Sequence, residues 1–245
     1  MAYKQMTIKA GDVIEVIKYQ DWAHGFRKNH SRRKKRKRST EDQMLRNARK
    51  AEDELRWKIN AGCEAGDYHI ILTYGGDAPT AEEAKRLLKN YMDRLRRLYA
   101  KTGHIFQWLA VTEYEGHRIH HHLILKQGPE LFEIVKRWKH GRPKVVMLDG
   151  SGNYGDLAAY LIKETARTFR DPDAPCKKRW TCSRNWPKPT ITKKVIRRRQ
   201  WAKSPRPVKG FYIDKNQTYE GVTAEGYPYQ RYTMVRLRKK EKRRE

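Results

Sequence analysis

The sequence predicts an α+β fold, and three observations carry that expectation. Between Tyr68 and Leu148, short β-branched runs and helical periods alternate as strand, helix, strand, strand, helix, strand. Apolar residues concentrate between Tyr68 and Leu161. The flanks are polar and strongly basic, within a chain of 245 residues and net charge +28. This element order is the split βαβ arrangement: a ferredoxin-like (RRM-like), antiparallel four-stranded sheet with helices on one face and basic N- and C-terminal extensions. The expected organisation is a basic arm and helix over 1–66, a core over 67–170, and a basic, aromatic extension over 171–245.

Each element has a local reason. The run YHIILTY (Tyr68 to Tyr74) is apolar and β-branched, and Gly75-Gly76 breaks it. Thr80-x-x-Glu83 is a capping box, opening a helix with Ala84, Leu87, Leu88, Tyr91, Leu95 and Leu98 on one face. Gly103 ends that helix. Ile105 to Glu115 and Ile119 to Lys126 flank Gly116 and read as a hairpin. Glu130 to Lys139 and Asp156 to Thr168 have helical spacing, and Lys144 to Leu148 is a further strand. Upstream, Ser39 or Thr40 caps a helix ending at Gly62, with Met44, Ala48, Ala51, Leu55 and Ile59 at helical spacing. Downstream, alternation over Gly210 to Val235 could add strands. One compact core with partly disordered flanks is expected.

The charge points to a polyanionic partner, nucleic acid above all. Membrane attachment is disfavoured, because no apolar run approaches a bilayer-spanning length and the basic runs are purely polar. Residues Met1 to Gln20 lack the apolar run of a signal peptide, so a cytoplasmic location is expected. Cys63, Cys176 and Cys182 fit neither C-x-x-C nor a zinc ribbon and read as reduced thiols. The block RKNHSRRKKRKR places Arg32, Arg33, Lys34, Lys35 and Arg36 in position for phosphate contact without sequence preference. After residue 170, arginines such as Arg184, Arg197 and Arg198 are interleaved with aromatic rings. That pattern suits single-stranded nucleic acid, or equally a weakly folded solvated tail.

Two segments carry chemistry. In VTEYEGHRIHHHLIL (Val111 to Leu125), alternate strand residues share a face, so His120 and His122 point one way and His121 the other. Glu113 and Glu115 lie across the hairpin within cross-strand reach. Two imidazoles and a carboxylate suit one metal ion with positions left open for water and a phosphate. In DLAAYLIKET (Asp156 to Thr165), Tyr160 and Lys163 share a helix face. A tyrosine can attack phosphorus, and a nearby ammonium can lower its pKa from about 10 or steady the phosphate.

Together these segments resemble the HUH endonucleases, and more closely the rolling-circle replication initiators of phages and plasmids. LTY (Leu72 to Tyr74) resembles the first family motif. IHHHLIL (Ile119 to Leu125) resembles the second, with His121 where a hydrophobic residue is usual. AAYLIKE (Ala158 to Glu164) resembles the third, with one catalytic tyrosine. RWTCSRNWPKP (Arg179 to Pro189) resembles a stretch that follows the catalytic helix in phage-type initiators. The resemblance implies Mg2+ or Mn2+ on His120, His122 and Glu113. Glu113 is preferred over Glu115, which adjoins the Gly116 turn. It also implies Tyr160 as the nucleophile on single-stranded or locally melted origin DNA, with Lys163 in support, and a host helicase and polymerase as partners. Tyr154, in the loop NYG, is the near competitor and is expected to lack a rigid hold on its phenol. An HUH transposase or relaxase, or a non-catalytic RNA- or DNA-binding protein on the same sheet, are the alternatives. No G-x-x-x-x-G-K-[ST] loop occurs, so any helicase would be borrowed.

Overall fold

A computed structural model describes residues 2–21, 41–115, 118–168, 178–197, 201–202, 204–223 and 226–237. In chain order the elements are β1 (Ala2–Ala10), β2 (Val13–Asp21), α1 (Glu41–Gly62), β3 (Tyr68–Leu72), α2 (Ala81–Lys101), β4 (Trp108–Glu115) and β5 (Arg118–Leu125). There follow α3 (Leu131–Val135), β6 (Lys144–Met147), α4 (Gly155–Thr168), β7 (Thr181–Cys182), β8 (Thr190–Ile196), β9 (Phe211–Val222) and β10 (Pro228–Arg236). The chain divides into one unit of residues 1–44 and 188–245 and a second unit of residues 45–187.

The second unit holds the strands expected from the sequence, in an antiparallel sheet of order β6-β3-β5-β4-β7. The sheet has five strands rather than four, because Thr181–Cys182 adds to the free edge of β4 through Leu109↔Cys182 and Ala110↔Thr181. Helices cover both faces, not one. Tyr68, Ile70, Leu72, Ala110 and Leu123 pack with Tyr91, Leu95 and Tyr99 of α2 and Ile134 of α3. On the other face Leu109, Val111 and Ile124 pack with Leu55 and Ile59 of α1 and Ala158, Leu161 and Ile162 of α4. Strand alternation gives each side chain its face, so both faces of an apolar strand need a cover.

Local chemistry fixes these elements in place. Thr80 caps α2, accepting from the Glu83 backbone N–H while the Glu83 carboxylate accepts from the Thr80 N–H. Asp67 is buried before β3, accepts N–H bonds from Glu64 and Gln127, and pairs with Lys126 at 3.0 Å. The α3 helix is shorter than expected. The chain turns after Val135 and brings the Trp138 indole under the sheet, where it donates to the Thr73 carbonyl at 2.8 Å.

The stretch RWTCSRNWPKP is neither a solvated tail nor a base-stacking surface. Trp186 is 2% exposed, and its indole donates to the Lys58 carbonyl at 2.9 Å. Gly62 is required beneath it, since a Cβ there would lie 2.5 Å from the ring. Trp180 packs against the same cluster, with the Lys58 ammonium over its ring.

The flanks also build a sheet of their own, so the expectation of a single core is corrected. Its order is β8-β1-β2-β10-β9, all antiparallel. β1 and β2 join through a two-residue turn in which Gly11 takes φ 57°, a left-handed conformation glycine adopts without steric cost. Ile14, Val16, Tyr232 and Met234 form the apolar centre on one face. The buried Glu15 is neutralised by Arg231 at 2.7 Å. No described helix is long and apolar enough to cross a membrane.

Candidate functional site

The site begins with the β4–β5 register. Glu113 lies directly opposite His120, Val111 opposite His122 and Thr112 opposite His121. Period-two geometry therefore sets Glu113, His120 and His122 on one face, as the sequence predicted. The Glu113 Oε2 stands 3.7 Å from His122 Nε2 and 4.0 Å from His120 Nδ1. Glu113 and His122 are buried, whereas the His120 side chain is 32% exposed and marks the open side of the group. The Glu115 side chain lies outside the described residues.

His121 occupies the opposite face and is wholly buried. Its Nδ1 is 2.9 Å from the Thr112 hydroxyl and its Nε2 2.7 Å from the Tyr74 hydroxyl, which also donates to the Ala84 carbonyl. One direction satisfies the whole chain. Thr112 donates to Nδ1, Nε2–H donates to Tyr74, and Tyr74 donates to Ala84. Burial first, then the neighbouring His122 and His120, push the His121 pKa down to about 3.

His122 is held differently. Its Nδ1 is 3.2 Å from Nε2 of His69 on the neighbouring β3, with the two rings stacked at 5.4 Å. Its Nε2 is buried and makes no hydrogen bond among the described residues. Burial and His69 lower the His122 pKa to about 4, and burial and Lys144 lower that of His69 to about 4. Both rings are neutral at physiological pH, the form that can bind a metal.

Tyr160 reaches the same group from α4. Ala158, Leu161 and Ile162 anchor the helix in the core, leaving Tyr160 44% exposed on the other side. Its ring meets His122 edge-on, with centroids 5.5 Å apart and planes at 87°. Lys163 is exposed, about one turn further along the helix. Tyr154 departs from expectation. Its phenol is buried and donates to the Asp149 carbonyl at 2.8 Å, and its backbone N–H is bound by Asn60, so it is fixed rather than loose.

Among the described residues, no three His, Cys, Asp or Glu side chains stand, as placed, in an arrangement that could hold a metal ion. The donor chemistry nonetheless fits a divalent cation. Two neutral imidazoles and a carboxylate share one face, and the His122 Nε2 is buried with its hydrogen-bonding capacity unused. Arg184 is exposed on the turn after β7 in the second unit, and Arg197 is exposed at the end of β8 in the first. Arg32, Arg33, Lys34, Lys35, Arg36, Arg198 and Cys176 lie outside the described residues. Cys63 and Cys182 are free thiols. The sequence reading missed His69, whose one signal was a polar residue inside an apolar strand.

An antiparallel sheet carrying two histidines and a glutamate beside a helical tyrosine defines the class of arrangement to compare with known proteins. A family model for replication-associated proteins, the ORF2 family, matches residues 67–165, the stretch from the start of β3 through most of α4. That similarity supports a role in DNA replication and is consistent with a rolling-circle replication initiator. No curated protein and no solved structure matches the chain.

Proposed function

We propose that this protein is a replication initiator that nicks one strand of origin DNA through Tyr160 and a divalent cation, as in HUH-type nucleases. The observation that carries the reading is the convergence of Glu113, His120, His122 and Tyr160 on one face of the sheet. Glu113, His120 and His122 would hold Mg2+ or Mn2+, which when bound draws charge from the scissile phosphate. The half-exposed Tyr160 hydroxyl attacks phosphorus and gives up its proton. The bond from phosphorus to the 3′ oxygen breaks, and that oxygen takes a proton to become a 3′-hydroxyl. The 5′ phosphate stays on Tyr160 as a phosphodiester. Lys163 steadies the phosphate or the phenolate. The split βαβ sheet positions these groups, and the free 3′ end serves a host polymerase, with a host helicase opening the duplex in the bacterial cytoplasm.

Affinity in this proposal comes from the basic segments, including Arg32, Arg33, Lys34, Lys35, Arg36, Arg184, Arg197 and Arg198. The test is cleavage of single-stranded origin DNA with Mn2+ or with chelator, using wild type and Tyr160→Phe. Wild type with Mn2+ should give a nicked strand and a denaturant-resistant adduct on Tyr160. Chelator or Tyr160→Phe should abolish both while DNA binding persists. Full adduct yield from Tyr160→Phe, or an adduct mapped to Tyr154, overturns the assignment.

A further inference from the structure

We propose that His69 is the positioning residue for His122: its Nε2 accepts the proton on His122 Nδ1 and leaves the opposite nitrogen of His122 bare toward Glu113. This inference rests on the metal reading above and adds to it a residue that the family resemblance does not supply. The geometry is specific. Ile71 of β3 is the register partner of His122, so His69, two residues earlier, is its diagonal neighbour on the same face. Both rings are buried, at 6% and 2% exposure, and lie 27° from parallel with the two nitrogens 3.2 Å apart.

A neutral imidazole carries one N–H, so His122 has two arrangements. With the proton on Nδ1, His69 accepts it, and a lone pair on Nε2 faces the carboxylate side, where a cation would be bound. With the proton on Nε2, a buried N–H faces Glu113 Oε2 at 3.7 Å, beyond hydrogen-bond reach. His69 therefore selects the tautomer that can act as a ligand and also sets the tilt of the ring. Metal-binding histidines commonly depend on such a partner on the other nitrogen. Nothing else described on this face offers His122 Nδ1 an acceptor.

The experiment compares wild type with His69→Phe, which keeps a ring and removes the acceptor, and His69→Gln, whose amide oxygen restores it. Ring 15N signals of metal-free protein should show His122 protonated on Nδ1 in wild type and His69→Gln, and shifted toward Nε2 in His69→Phe. Calorimetric titration with Mn2+ alone should show roughly 10- to 100-fold weaker binding in His69→Phe, largely recovered in His69→Gln. A purely structural role would leave the 15N pattern unmoved in folded protein. Unchanged His122 tautomer in His69→Phe, or Nε2 protonation in wild type, overturns the proposal. Equal Mn2+ affinity in all three proteins overturns it as well. If wild type binds no Mn2+, the metal reading fails, while the ring nitrogen signals still decide for or against His69. Should His69→Phe not fold, as judged by circular dichroism, the wild-type tautomer and His69→Gln affinity decide.

Discussion

Three consecutive histidines on one strand should separate cleanly into two that serve chemistry and one that serves stability. Consider His121→Leu, an apolar replacement of similar size. It removes the contacts to Thr112 and Tyr74 at 2.9 and 2.7 Å. Two net hydrogen bonds are worth about 0.5–1.5 kcal/mol each, and leaving a partly buried hydroxyl without its partner adds about 1 kcal/mol. Tyr74 retains the Ala84 carbonyl, which limits the loss. The sum is about 3 kcal/mol. At roughly 3 °C per kcal/mol for a chain of this size, Tm should fall by about 9 °C. His122→Leu, by contrast, removes a buried nitrogen that already lacks a partner and forfeits only the His69 contact, so its Tm should move far less. Thermal unfolding by circular dichroism and Mn2+ titration at about 20 °C give the two readouts. His121→Leu should lose stability and keep Mn2+ affinity, and His122→Leu should do the reverse. Loss of Mn2+ binding in folded His121→Leu, with binding retained in His122→Leu, would refute the assignment of the strand faces.

Three further outcomes are expected. Glu113→Gln should weaken Mn2+ binding and abolish nicking, whereas Glu115→Gln should do neither; calorimetry showing the opposite pattern would move the third ligand to Glu115. Acid should destabilise the fold. Burial holds His121 at about 3, against about 6.5 unfolded, so below pH 6.5 the unfolded chain binds a proton that the folded chain refuses. Stability then falls toward pH 3 by about 1.4 kcal/mol per pH unit for this one residue, with His69 and His122 contributing in the same sense down to about pH 4. Urea titrations of His121→Leu should show a flatter acid limb than wild type. Finally, neutralising Arg32 to Arg36 should weaken DNA binding across all sequences and reduce the slope of log affinity against log salt; a changed sequence preference with an unchanged slope would contradict this.

What the sequence disclosed follows from short-range geometry. The faces of His120, His121 and His122 were legible because alternation in a strand is fixed, and the α2 start was legible because Thr80 and Glu83 form a local motif. Features that depend on which strand lies beside which were not. His69 meets His122 only because β3 packs next to β5, across 53 residues of chain. Tyr154 sits between glycines, which suggests a loose phenol, yet Asn60, 94 residues away, fixes its backbone. The β1–β2 hairpin had a local signal in Ala-Gly-Asp-Val, but its basic, polar setting concealed it. Its partners Thr192 and Thr233 lie far down the chain. Trp186 looked like a base-stacking ring because indole and arginine alternate there, and only the Gly62 contact shows what it covers.

The pairing of β2 with β10 has a consequence for synthesis. The β1–β2 hairpin leaves the ribosome well before its central partner, which begins at residue 228. At about 5–20 residues per second, the hairpin waits roughly 10–40 s with both outer edges unsatisfied. During that interval the second unit, contiguous over residues 45–187, can complete its own sheet. β8 and β10, made later, then close the sheet that the hairpin began, so loss of β10 would leave β2 without a neighbour. A chain stalled before residue 228 therefore carries an open edge on β2, a template for pairing with other chains.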